Sequence, residues 1–429
     1  AHQDARTHLS PVLGHDPDHP EALRLDAESL DMLGDPSALV AYDAAIAAAD
    51  DDVADDLVIA RALAQIKQGD PAGGLAAVQG AVPRSRMGRL NEALAYAGAA
   101  ALGATDPALG TQKANEVRRV ALESGDRAGI VIAAWAHAAA AHARGDLHDS
   151  VLGDLRDTRD LPHLAVRVFD GHLCMTQRFL YGWRPYPEVI RFAEALTDEA
   201  ERLGALRGRA FGITLRAEAM FHSGHLDEAQ RGFADGLRLH RDSGGTTGEA
   251  HALQRLAELL HAAGRHDDAR RTIDEALDLA RVSDIGFHLL DRIYGSRINV
   301  STDRDEALGA VEEAEAAVQG PLETCPGCRI HLAVPAAIAS SRAGDLDRAR
   351  SYADAVDYLA DVVMRLPAWY AARDEVQAQL ALASGDADRA RREFRAATQR
   401  YASAGHPLDE QRCRVAAAWG GGGARGRHP

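Results

Sequence analysis

Between residues 206 and 404 one short pattern returns at nearly constant spacing. A turn, an acidic residue and then an alanine occur as SGHLDEA ending at Ala229, AGRHDDA at Ala269, TDRDEA at Ala307, AGDLDRA at Ala349 and SGDADRA at Ala390. Successive alanines lie 40, 38, 42 and 41 residues apart. A second small residue precedes each by twelve: Ala217, Ala257, Gly295, Ala337 and Ala378. A fixed period of this length marks a repeat architecture, in which one supersecondary unit stacks on the next.

The unit that fits the pattern is a pair of antiparallel helices joined by a tight turn, with small residues where the backbones come closest. Glycine closes the first helix because it accepts the left-handed conformation, and an Asp beside it caps the second. Around Gly264, the residues Leu253, Leu256, Ala257 and Leu260 share one face of the first helix, and Ala269, Ile273, Ala276 and Leu277 share one face of the second. Neither face can be buried within one hairpin, so each unit needs its neighbours. The expected fold is all-α, a right-handed superhelical solenoid of antiparallel helical hairpins with a period of about 40 residues, or about ten helical pairs.

Weaker copies run through residues 1–205, with turns at Gly34-Asp35, Gly69-Asp70 and Gly145-Asp146 and another at Gly182. Residues 83–126 fit poorly, and their Gly103 and Gly125-Asp126 turns imply one hairpin with an unusual connection. The clearest repeats cover 206–404 and a terminal helix covers 407–419, so that 1–419 reads as one array followed by a flexible glycine-rich tail at 420–429.

Composition bears on partners more than on fold. Aromatic residues are 5% of the chain while alanine runs such as AAIAAAD and AAWAHAAAAHA recur, which favours helices packed closely through small side chains. The formal net charge of −16 repels a phosphate backbone, which disfavours nucleic-acid binding. The longest apolar stretch, 128–141, is broken by His137 and followed by His142, Arg144 and Asp146, so no membrane span is expected. The N-terminus AHQDARTHLS has no basic-then-apolar secretion pattern and no initiator Met, and it reads as a cytoplasmic fragment or a processed chain. Four scattered cysteines, Cys174, Cys325, Cys328 and Cys413, fit a reducing setting.

The Gly-Asp turn, the small residue seven before it, and the alanine with an aromatic or branched residue after it together resemble the tetratricopeptide repeat. Phe233 and Phe394 fall at that family's aromatic position in the second helix. The likeness departs in period, since units of about 40 residues exceed the family's roughly 34. It departs again at Arg216 and Asp374, which fall where the family keeps large apolar residues. The segments CPGCRIHLAVPAAIASSRAGDLDRA and ASGDADRARREFRAATQRYASAGHPLDEQRCR are similar to the C-terminal repeat region of large actinobacterial ATP-binding LuxR-type regulators and related signalling ATPases. That resemblance implies a sensory or regulatory arm between a nucleotide-binding module and an effector. The chain itself carries neither a GxxxxGK[ST] phosphate loop nor a helix-turn-helix.

Chemistry-bearing motifs are sparse. Cys325-Pro-Gly-Cys328, with His331 three residues on, lacks a second ligand pair for a structural zinc and a βαβ setting for a redox CxxC, so a structural loop is expected. The histidine pairs His137/His142 and His251/His261 miss the i, i+4 spacing of a metal face, and no GxSxG is present. The expected chain is therefore not an enzyme and holds no cofactor or metal. Its candidate residues are those that line the inner surface in the tetratricopeptide register: Phe211, Thr214, Glu218 and Phe221; then His251, Gln254, Glu258 and His261; then Arg292, Ser296 and Asn299. They read either as a mixed polar and aromatic groove for a protein or peptide, including another domain of the same polypeptide, or as the solvated face of each first helix. The function these features suggest is interaction and regulation. A free-standing receptor for a peptide or small molecule is the alternative, and an enzyme on a helical scaffold a more distant one.

Overall fold

The computed structural model describes residues 2–32, 35–144, 147–182, 184–283, 287–318 and 328–419. Gly34, Gly145, Asp146, Cys325 and the tail 420–429 lie outside the described residues. Among the described residues every regular element is a helix, 22 α-helices and one π-helical turn, so the fold is an all-α solenoid of helical hairpins. The chain packs as two compact units, Ala1–His172 (with Val318) and Leu173–Ala317 with the described part of Cys325–Pro429.

The first unit runs through α1 (His2–His15), α2 (Pro20–Met32), α3 (Ala38–Ala48), α4 (Asp51–Lys67), α5 (Pro71–Gly80) and α6 (Arg86–Ala101). It continues with α7 (Pro107–Ser124), α8 (Arg127–Arg144), α9 (Leu147–Thr158) and the start of α10 (Pro162–Leu180). Helices α2 and α3, α4 and α5, and α6 and α7 pack as pairs. The hairpin expected in 83–126 is α6 with α7, and its connection is ordinary. Gly103 turns the chain at φ 76°, and the Asp106 carboxylate accepts the Ala108 amide at 2.9 Å to start α7. Alanine makes the seams here: Ala93, Ala97, Ala114, Ala136 and Ala140 are buried in one cluster.

The second unit shows the repeat plainly. Its helices are α11 (Tyr186–Arg202), α12 (Leu206–His222), α13 (Leu226–Asp242), α14 (Thr246–Ala262), α15 (His266–Val282) and α16 (Phe287–Asn299). They are followed by α17 (Arg304–Val318), α18 (Ile330–Ala343), α19 (Leu346–Tyr358), α20 (Pro367–Ala383), α21 (Ala387–Ala404) and α22 (Pro407–Trp419). Hairpins form between α12 and α13, α14 and α15, α18 and α19, and α20 and α21, while the first helices stack in the order α12, α14, α16, α18, α20. The expected turn glycines Gly224, Gly264, Gly344 and Gly385 all have positive φ, which an L-residue resists. Asp345 and Asp386 cap the following helices, as does Asp303, whose Oδ1 accepts the Glu306 amide.

The recurring small residues sit where the register put them. Ala217, Ala257, Ala337 and Ala378 are buried, as are Ala229, Ala269, Ala349 and Ala390, while Ala307 is half-buried. Gly295 is the tightest position, since a Cβ there would lie 1.9 Å from the His331 carbonyl oxygen on α18. After α19 a π-helical turn, Leu359–Met364, ends at Arg365 with φ 51°, and Leu366 is extended before Pro367. Proline excludes the helical conformation from the residue before it, so the chain must leave one helix here before it starts α20.

Candidate functional site

In the second unit the first helices turn a repeated register inward. Three residues before each small seam residue stand Thr214, Gln254, Arg292, Val334 and Glu375, and six before stand Phe211, His251, Leu289, His331 and Ala372. Positions at this spacing share a helix face with the seam, so stacked helices bring them towards one axis.

Six of the eleven candidate residues meet there in one network: Glu218, His251, Gln254, Glu258, Arg292 and Ser296. Its hub is Arg255, which is 1% exposed. Its Nε donates to Glu218 Oε1 at 2.8 Å and its Nη1 to Glu258 Oε2 at 2.8 Å. His251 Nε2 lies 3.0 Å and Arg292 Nη2 4.0 Å from the same Glu218 oxygen. The Ser296 hydroxyl donates to Glu258, and Gln254 Nε2 donates to Ser296 Oγ at 3.0 Å.

The others lie elsewhere. Thr214 donates to the Ala210 carbonyl and sits 3.1 Å from His240 Nε2. Phe221 packs with Ala217, Ala229, Phe233 and Leu259, and Phe211 is buried as well. His261 is half-buried against His266, their rings 4.8 Å apart, and Asn299 is exposed. Most of the expected open groove or solvated face is therefore interior. The reason is what fills the axis.

Leu173–Leu180, the end of α10, and Tyr181 occupy it. Arg292 Nη1 donates to the Leu173 carbonyl at 2.9 Å, and Gln177 Nε2 reaches Cys328 Sγ at 3.6 Å. The Tyr181 ring stacks on Trp369 with centroids 4.6 Å apart and meets His331 and His222 edge-on at 5.4 and 5.5 Å. Its hydroxyl accepts from Arg255 Nη1 at 3.4 Å. Tyr186 donates to the Leu180 carbonyl at 2.9 Å and lies 2.9 Å from His406 Nε2. Sequence reasoning missed Tyr181, Arg255, His222, Trp369 and His406. It had His331 in view only beside Cys328, although the register six before the seam already pairs His331 with His251.

Burial in this setting sets the charge states. Burial acts to raise the Glu218 carboxyl, but His251, bonded to it, and the charges of Arg255 and Arg292 outweigh that and hold it below the usual range. Burial pushes His251 down to about 4, outweighing the attraction of Glu218. Burial, with Arg255 nearby, pushes His222 down to about 3. His331 is depressed by burial and then by Arg292 and Arg255. At neutral pH the axis thus holds ionised arginines and glutamates beside neutral imidazoles. Such a site can grip carbonyl, carboxylate and aromatic groups.

Neither a family model nor a curated protein matches the chain. Among solved structures it is similar to a circular tandem repeat protein with novel repeat topology and enhanced subunit contact surfaces, at 12% identity over 98% of this chain and 88% of that one. The TM-score is 0.13, too low to carry an argument about this chain.

Proposed function

We propose that the chain is a non-catalytic protein-interaction and regulatory scaffold. The observation behind this reading is the convergence of Glu218, His251, Arg255, Arg292 and His331, from four successive first helices, on a helix end and its aromatic tip. Successive repeats that each offer side chains to one linear segment are the general means by which helical arrays bind protein partners. A groove of this kind reads main-chain carbonyls with arginine and seats an aromatic residue between rings.

The likeness of the C-terminal segments to LuxR-type regulators and signalling ATPases supports a finer reading, the sensory or effector-linking arm of a bacterial transcriptional or signalling system in the cytoplasm. The partner is then a protein segment, including one from another domain of the same polypeptide. The net charge of −16 argues against a nucleic-acid duplex as the direct ligand.

Cross-linking mass spectrometry of the chain in a source-like lysate, followed by calorimetry with each repurified candidate, tests the scaffold reading. The expected result is saturable binding with a Kd on the order of 1 μM or tighter. The reading falls if no repurified candidate binds at about 100 μM, a level at which even transient partners are detected.

A further inference from the structure

The segment Leu173–Tyr181 is held the way a ligand is held. Three of its carbonyls are engaged by the surrounding array: Leu173 by Arg292, Leu180 by the Tyr186 hydroxyl, and Tyr181 by the Ala368 amide at 3.3 Å. Its tip, Tyr181, is half-buried and so reaches the surface of the unit, whereas Thr176, Gln177, Phe179 and Leu180 are buried.

The fit is incomplete in one chemical sense. Arg255 Nη2, Arg292 Nε and Nη2, His331 Nε2 and Trp369 Nε1 are buried and make no hydrogen bond among the described residues. All four side chains are more than nine-tenths buried. The segment LCMTQRFLY offers no carboxylate to these groups and instead brings a further cation, Arg178. Burial and the like charge of Arg365 push that guanidinium down to about 10. Unpartnered acceptors lie there too, Glu218 Oε2, Gln254 Oε1 and the segment's own Gln177 Oε1, but no carboxylate of the segment meets the unused donors. Leftover buried donors of this kind favour any competitor that satisfies them.

We propose that Leu173–Tyr181 is a stand-in, held in cis, for a helical partner segment that carries an aromatic residue and a carboxylate, and that the axis of the second unit is that partner's binding site. Tethering gives the stand-in an effective concentration in the millimolar range, so it excludes the partner until it is withdrawn or weakened. The position of the carboxylate follows from geometry. The Thr176 hydroxyl donates to the Leu173 carbonyl at 2.7 Å, and that carbonyl also accepts from Arg292. Thr176 and the Arg292 guanidinium thus share one carbonyl, so a carboxylate at the place of Thr176 is the segment position from which that guanidinium is reached. This proposal rests on the interaction reading and adds the partner's chemistry and the device that masks the site.

The test uses the full chain and two labelled synthetic peptides, one with the sequence of residues 173–181 and one with Thr176→Asp, read by fluorescence anisotropy. Tyr181→Ala removes the stacked tip. It should bind both peptides at least about tenfold more tightly than the wild type, because more of the population is open. The Asp-bearing peptide should bind this variant about tenfold more tightly than the native-sequence peptide, as a buried charge-assisted pair requires. If Tyr181→Ala loses its cooperative melt, Tyr181→Phe decides, since it keeps the stacking on Trp369 and loses the hydroxyl. It should show a gain of the same sign, about threefold by the same population argument. A folded variant with wild-type peptide binding overturns the proposal, and so does equal binding of the two peptides. A natural partner whose Kd is the same for wild type and Tyr181→Ala also overturns it, while leaving the scaffold reading intact.

Discussion

One cluster inside the first unit, Ala93, Ala97, Ala114, Ala136 and Ala140, is alanine packed on alanine beside ordinary aliphatic clusters, whereas the second unit adds to its small-residue seams an axis of ionised side chains. The first unit has its own buried charge group, in which Arg118 Nη2 lies 2.5 Å from Asp154 Oδ1 and His172 Nε2 lies 2.7 Å from Asp154 Oδ2. That group has one fully buried carboxylate, Asp154, and Arg118 reaches the partly exposed Asp157 as well, at 2.7 Å. In the second unit Arg255 is shared by two carboxylates on successive first helices, with His251, Arg292, Ser296 and Gln254 around them. The difference shows what a repeat can do that a single packing contact cannot. A register that recurs brings polar side chains from successive first helices to the same place, here one from α12, four from α14 and two from α16.

The largest effect that follows is at the hub. Removing one partner of a buried charge network leaves the rest uncompensated, so Arg255→Ala should destabilise the second unit by roughly 3–5 kcal/mol. Arg118→Ala should cost less, roughly 1–3 kcal/mol, because His172 stays beside Asp154 and the Asp157 carboxylate is partly exposed. Urea unfolding followed by hydrogen exchange, which separates the units by peptide, checks the ordering. Equal losses in the two units break the comparison.

Acid should separate the units next. The folded second unit holds His251 near 4 and His222 near 3 and depresses His240 and His331 as well, all chiefly through burial. Around His251 stand Glu218, Arg292 and Arg255; around His331, Arg292, Arg255, His222 and His251; around His240, Arg207 and His251. A histidine in the unfolded chain protonates near 6.5, so protons bind the unfolded state first. Stability is then complete above about pH 6.5 and falls as the pH drops towards 4, by about 1.4 kcal/mol per pH unit for each histidine that the fold keeps neutral. Glu218 and Glu258, both held low, add loss of the same sign once the pH passes below the ordinary carboxylate range. In the first unit His137 is depressed by burial, so a smaller fall is expected there. Hydrogen exchange at pH 7, 5.5 and 4.5, corrected for intrinsic rates, reads both. Stability that rises on acidification in the second unit contradicts the charge states assigned to its axis.

Much of this fold was legible because repetition removes ambiguity. Ala217, Ala257, Gly295, Ala337 and Ala378 located the seams, and the same register carried Glu218, His251, Gln254, Glu258, Arg292 and Ser296 onto the face where they meet. Their burial was not legible, because the inner face of an array looks alike in sequence whether it faces water or another segment. The occupant lies in α10, outside the clear repeats, and nothing in LCMTQRFLY marks it as one. Arg255 left a fainter trace. It stands two residues before the seam, where the other repeats have Leu215, Ile293, Pro335 and Val376, all buried. A lone arginine at an apolar register position, with Glu258 three residues on, is the sequence sign of a charge meant for the interior.

Backbone closeness gives a smaller contrast. At Gly295 an added Cβ meets the His331 carbonyl oxygen at 1.9 Å, whereas at Gly110 in α7 it meets Ala97 Cα at 3.2 Å and Ala140 Cβ at 3.3 Å. Backbone must move in the first case, so Gly295→Ala should cost roughly 1–3 kcal/mol. At Gly110 a shift of a few tenths of an ångström suffices, and the roughly 1 kcal/mol gained in helix propensity offsets it. Thermal melts of the two variants should therefore differ clearly. Matching melts would mean that the approach of α16 to α18 is looser than the seam requires.

The smallest effect is a control on the whole comparison. Helix caps are local, since the side-chain oxygen satisfies one amide of its own first turn and touches neither seam nor axis. Asp386 accepts the Arg389 amide at 2.9 Å in the second unit, and Asp106 accepts the Ala108 amide at 2.9 Å in the first. Both bonds are exposed and nearly equal in length, so Asp386→Ala and Asp106→Ala should each cost about 1 kcal/mol. If the units differ because of the axis, these two numbers agree within error while the Arg255 and Arg118 variants do not. If Asp386→Ala costs several times more than Asp106→Ala, the second unit responds cooperatively even to a surface change. Its larger losses at Arg255 and in acid would then reflect general coupling along the repeats rather than the charge network at its centre.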